Sequence, residues 1–189
     1  MPTDTETQVA ALLRDLAAAI VSRPECIEVE RRDPVRGETL WWMQCAPEDQ
    51  GKLIGRGGSH ARAFDLLVAA MGWSVGETWR FKLPPVASMG EQDPPAHRPR
   101  THDPTPAHEL LVRILAQLPA AGTIVEKPRA FPGAPLHFHF DVWTPDVALF
   151  RELRFDDDPQ SNLVGALGTL FRAAARTKGV RYQINVVPI

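Results

Sequence analysis

The sequence predicts an α+β protein in which one α-β-β-α-α-β unit occurs twice, each copy a three-stranded sheet with helices on one face. Three observations carry this expectation. Apolar residues recur at helical spacing in Val9, Leu12, Leu13, Leu16 and Ile20, and again in Leu110, Leu111, Ile114, Leu115 and Leu118. Each such run is followed by two alternating strand-like runs, further helical stripes and a last strand. A proline-rich stretch without apolar periodicity, 85–106, separates the two series. A spacing of about a hundred residues is too long for a solenoid repeat and reads as two domains. We therefore expect a domain over 1–84, a linker over 85–106 and a second domain over 107–189.

The elements follow in order. The first helix is expected from Thr7 to Ser22, with Arg14 and Asp15 facing away from its apolar stripe. Ile27 to Arg32 reads as a strand, Asp33 to Gly37 as a turn, and Glu38 to Cys45 as a second strand completing a hairpin. Trp41, Met43 and Cys45 share the inward parity. Trp42 then faces the open side, where the second half or another subunit is its expected cover. Pro47-Glu48-Asp49 opens a helix, because proline suits a first turn and acids oppose the positive end of the dipole. Gly55 stops it. Ser59 is expected to cap the next helix, which carries Ala61, Phe64, Leu67, Val68 and Met71 on one face and ends near Gly72. Thr78 to Leu83 supplies the last strand, with Trp79, Phe81 and Leu83 on one side.

The second half repeats this order. A helix holds Leu110 to Leu118, Gly122 to Glu126 is a strand, 128–135 is a Pro-Gly turn, and Leu136 to Val142 is a strand. Thr144-Pro145-Asp146 opens a short helix. Leu163, Leu167, Leu170, Phe171 and Ala174 mark another, and Arg181 to Val187 ends as a strand.

Composition narrows the function. A chain of 189 residues, 44% hydrophobic, can bury one good core or two small ones. A formal net charge of -2 excludes a protein that coats nucleic acid through a global basic field, so any phosphate contact must be local. Arg14 and Asp15 interrupt the first apolar run, which is neither a signal peptide nor a membrane span. Cys26 and Cys45 stand apart from any Cys-x-x-Cys pair and read as reduced thiols of a cytoplasmic protein, although sequence leaves a bridge between them open. No catalytic constellation stands out, so the expected activity is binding, without a cofactor. His137, His139 and Asp141 share a strand face but lack a convincing fourth ligand, and Asp156 to Asp158 lack the glycine and distal glutamate of a calcium loop. No metal is expected.

The chemistry concentrates in Lys52-Leu53-Ile54-Gly55-Arg56-Gly57-Gly58-Ser59-His60-Ala61-Arg62, a basic glycine loop between two helices. Glycines there admit positive φ and close approach, and the amides opening the next helix point outward. Lys52, Arg56 and Arg62 form a local cationic patch to which His60 adds charge in mild acid. With its flanks, Ala46-Pro47-Glu48-Asp49 before it and Ala61-x-Ala63-Phe64 after it, this stretch resembles the K-homology (KH) domain. Residues 7–84 resemble the small bacterial single-KH RNA-binding proteins of the KhpA type, in the arrangement called type II, and cover under half of the chain.

The resemblance implies that Gly55-Arg56-Gly57-Gly58 clamps the backbone of about four unpaired nucleotides, with Arg56 at the tip. Ile54 and the following helix would form one wall of a base groove and the second strand the other. Lys52, Ser59, His60 and Arg62 complete the implied site. In the second half the corresponding stretch reads Arg154-Phe155-Asp156-Asp157-Asp158-Pro159-Gln160, where three carboxylates repel phosphate and no glycine admits backbone. Residues 107–189 are thus expected to be a degenerate KH-like domain, the Gly165 to Gly168 pair being helical. The implied partner is single-stranded RNA, with a role in post-transcriptional regulation or RNA chaperoning, and with a homodimer or another KH protein as further partners. The alternative is a KH-fold module for protein interaction with little RNA binding.

Overall fold

In the computed structural model, residues 4–35, 37–84, 107–118, 122–127, 136–142, 150, 162–178 and 182–188 are described. Helix α1 (Asp4–Ala18) begins with Asp4 and Glu6 in its first turn, where carboxylates complement the dipole, and buries Val9, Leu12, Leu13, Leu16 and Ala17. It ends four residues before the expected Ser22. The apolar spacing does continue through Ile20, but the amides of Ser22 and Arg23 turn away to donate to the Asp49 carboxylate at 2.8–3.0 Å.

Strands β1 (Glu28–Val35) and β2 (Glu38–Gln44) pair antiparallel, and the register slips between Arg32 and Val35. Helix α2 (Pro47–Ile54), a 3₁₀ turn (Arg56–Gly58) and helix α3 (Ser59–Ser74) lead to β3 (Thr78–Lys82), which lies parallel to β2. The sheet order is β1-β2-β3, leaving β3 at an edge. After it come α4 (Ala107–Ala116), β4 (Gly122–Lys127), β5 (Leu136–Val142), α5 (Leu163–Lys178) and β6 (Tyr182–Pro188). The second sheet repeats the pairing of the first: β4 is antiparallel to β5, and β5 is parallel to β6. The segment 85–106, the turn 128–135, the helix opened at Thr144 and the acidic run Arg154 to Gln160 lie outside the described residues, as do the side chains of His137, His139 and Asp141.

Strand alternation places Trp41 and Met43 in the core with Trp79 and Phe81 from β3. The Trp41 and Trp79 rings meet at 5.4 Å and 59°, a tilted geometry that suits their quadrupoles, and Phe64 of α3 stacks on Phe81 at 5.0 Å. Trp42 faces the open side, where Arg32 of the neighbouring strand places its guanidinium 4.1 Å from the ring centroid, a cover not anticipated from sequence. Cys26 and Cys45 are free thiols, and burial pushes Cys45 up to about 11, so it stays protonated.

Helix α3 is buried on more than its expected stripe. Phe64, Leu67, Val68 and Met71 are covered, and so are Ala63, Leu66 and Ala70 on an adjoining stripe, whereas Ala61 is only half-buried. The reason is tertiary: α3 lies against its own sheet and also along α5, and α1 lies against α4. Buried residues of both halves form one continuous hydrophobic cluster.

Asp49 is fully buried, yet burial, which pushes its carboxyl up, is outweighed by hydrogen bonds from Lys52 and from the Ser22 and Arg23 amides. The net shift is downward, so the folded state holds the charged form more tightly than the unfolded chain does. That contribution is complete above the unfolded value of about 3.9 and is lost as pH falls through the lower folded value. Asp49→Ala should cost about 3 kcal/mol in urea denaturation at pH 7, and the gap to wild type should narrow below about pH 4.

Candidate nucleic-acid interface

Helix α2 closes with the Gly55 amide bonded to the Gly51 carbonyl, and Gly55 then takes φ 72, ψ 170, a region reserved for glycine. Gly57 (φ 60) and Gly58 (φ 78) continue with left-handed conformations, and α3 begins at once. Gly58 occupies the capping position, while Ser59 is already helical at φ -60, ψ -41 and donates its amide to Arg56. The expected Ser59 cap is therefore not formed, and no side chain caps the start of α3. Its first-turn amides lack intrahelical partners and carry the positive end of the dipole.

His60 explains why the loop turns where it does. Its Nδ1 donates to the Lys52 carbonyl at 2.6 Å, satisfying one of the last carbonyls of α2 and fastening the first turn of α3 to it. The ring fills the space beside Gly55 so fully that a Cβ there would fall 2.6 Å from His60 Cγ. By contrast, nothing lies within 4 Å of a Cβ built on Gly57 or Gly58. One glycine serves packing; the other two present open backbone.

The cations divide in the same way. Lys52 Nζ is 2.8 Å from Asp49 and hydrogen-bonds the Ser22 hydroxyl, so this lysine completes the buried carboxylate. Arg56 at the tip and Arg62 on the first turn of α3 are exposed.

A groove of about 380 Å³ begins beside the loop, lined by Ile54, Ala61, Arg62 and Asp65 on the helical side. Its other wall is Phe81 and Lys82 of β3 with Leu83 and Pro84, which replaces the second strand expected from sequence. The physical reason is sheet order: β2 is central and covered on both edges, while β3 is the edge strand next to α3. Asp65 fastens that wall, with Oδ1 accepting the Phe81 amide at 2.7 Å and Oδ2 3.1 Å from Arg80. Burial pushes the Asp65 carboxyl up, against the opposing pull of the Phe81 amide and Arg80. Gln50, also buried, donates its Nε2 to the Pro84 carbonyl and so ties α2 to the end of the groove. Sequence reasoning missed Asp65, Phe81, Lys82, Leu83 and Pro84 as lining residues, because their place beside the loop depends on the sheet order.

Among the described residues, no cluster of His, Cys, Asp and Glu can hold a metal ion, and no helix is long and apolar enough to cross a membrane. Because Gly55 combines a glycine-only conformation with the His60 contact, Gly55→Ala should lower the unfolding free energy by about 2–3 kcal/mol, while Gly58→Ala should cost about 1 kcal/mol. Thermal and urea melts check both.

No protein-family model matches the chain. It is 40% identical over 60 residues to the RNA-binding protein KhpA of Streptomyces coelicolor, and equally to that of Streptomyces lividans. The aligned stretch is 32% of this chain and 75% of each relative. An identity of this size over most of a small protein, joined to a glycine loop set between two helices and an edge-strand groove, gives the conclusion that the chain belongs to the KhpA family of KH RNA-binding proteins.

Proposed function

We propose that the chain binds single-stranded RNA through Gly55 to Gly58 and the groove beside them, in post-transcriptional regulation or RNA chaperoning and without making or breaking bonds. The observation that carries this reading is the junction of open, positive-φ backbone at Gly57 and Gly58 with an uncapped helix start and a largely apolar groove. Phosphates sit at the loop, next to Arg56 and Arg62, with Ser59 in the first turn. Bases lie against Ile54, Ala61 and Phe81, with Lys82 on the far rim. Asp65 on the floor repels phosphate and keeps the strand's charged backbone at the loop side. Lys52 and His60 act by holding the loop rather than by touching RNA. The second half, read as a KH-like unit without the clamp, supports the first.

Three phosphate contacts give a slope of about -2 for log affinity against log salt on a single strand. Fluorescence anisotropy with a short single-stranded RNA should show that slope. Arg56→Asp combined with Gly57→Asp should weaken binding at least tenfold with little change in melting temperature, since aspartate is among the residues that tolerate left-handed backbone. Equal binding by wild type and variant, or none by either, would replace this reading with the protein-interaction module.

A further inference from the structure

The helices that join the two halves are counterparts of one another. Leu12, Leu13 and Leu16 of α1 stand in the same order and spacing as Leu110, Leu111 and Ile114 of α4, and all six are buried. Ala63, Phe64 and Ala70 of α3 correspond in the same way to Ala166, Leu167 and Ala173 of α5, again all buried. Across the junction α1 lies against α4 and α3 along α5, so each helix meets its own equivalent. That pattern is the mark of an isologous, two-fold interface, here within one chain. Alanine at the same two places on α3 and α5 permits close helix approach from either side.

A residue lying on a two-fold axis meets its own counterpart. Asp15 and Arg113 occupy equivalent positions, 98 residues apart, the offset that relates α1 to α4, and Arg113 Nη1 lies 2.5 Å from Asp15 Oδ2. Two copies of the first half joined this way would oppose Asp15 to Asp15; two copies of the second would oppose arginines. Only the mixed arrangement pairs opposite charges, and like-charge juxtaposition disfavours the wrong partner.

We propose that the chain is an internal pseudo-dimer, in which α4 and α5 occupy the helical face of the first half that would otherwise accept a second copy, and in which Asp15 and Arg113 select the mixed pairing over association of two chains. The inference rests on reading both halves as copies of one fold. It assigns the half without the clamp a task of its own, covering α1 and α3 so that one chain presents one glycine loop.

The test uses the full chain with a specific protease site inserted within 85–106, followed by analytical ultracentrifugation without RNA. The intact chain should sediment as a monomer, and the cut chain as a one-to-one pair of its halves at micromolar concentration. Asp15→Arg should raise the dissociation constant of the cut halves at least tenfold, and adding Arg113→Asp should restore most of the loss. A dimeric intact chain, halves that separate after cutting, or a double variant no tighter than Asp15→Arg would each overturn the proposal. None of these readouts involves RNA, so a failure to bind RNA leaves them independent.

Discussion

The buried Asp49 carboxylate is the constraint on which the first half depends. It lies in the first turn of α2, where the helix dipole favours negative charge, and its oxygens accept the Ser22 and Arg23 amides and the Lys52 ammonium. An ionised carboxylate away from water is stable only when its acceptor sites are filled this completely. The consequence is geometric. The chain leaving α1 is held to the start of α2, so the direction of α2, and with it the position of Gly55, is set by a charge in the interior.

Two further fastenings carry that geometry forward. His60 joins the end of α2 to the start of α3 through the Lys52 carbonyl, and Gln50 joins α2 to the Pro84 carbonyl at the far end of the groove. Asp65 adds a fourth, from α3 to the Phe81 amide on the open edge of β3. That last bond also occupies an edge N–H that would otherwise invite another strand. Loop and groove are thus built on elements whose relative positions are held by four polar groups, of which Asp49 and Gln50 are buried. Such a surface is preformed, and a preformed surface lowers the entropic cost of any binding to it.

Where sequence succeeded and failed follows from the range of the interactions. The helix-loop-helix around Gly55 was legible because its determinants are local: proline and acids at Pro47 to Asp49, glycines at the loop, and a helical stripe after it. Inward Trp41 and outward Trp42 follow from strand parity alone. The end of α1 was misplaced because Asp49, 27 residues from Ser22, decides it. The capping role given to Ser59 failed because the positive-φ glycines at 55, 57 and 58 turn the chain so that the capping position falls one residue earlier, on Gly58. The groove beside the loop is walled by β3, where sequence pointed to the second strand, because alternation reveals which residues face inward and says nothing about which strand lies at the edge.

Helix α3 shows how these levels meet in one element. Its N-terminal turn carries an uncapped dipole end and exposed Arg62, while its middle is packed on the sheet through Phe64, Leu67 and Val68 and along α5 through the adjoining stripe. A helix solvated on its outer side would need polar residues at Ala63, Leu66 and Ala70; burial by α5 is what permits apolar ones there. With a net charge of -2 the chain has no general field with which to gather a polyanion, so any phosphate contact must be local, and a local contact gains from groups that are held still. Packing α3 from two sides supplies that rigidity. Helix α5 of the second half thereby helps to fix the glycine loop of the first, through packing alone.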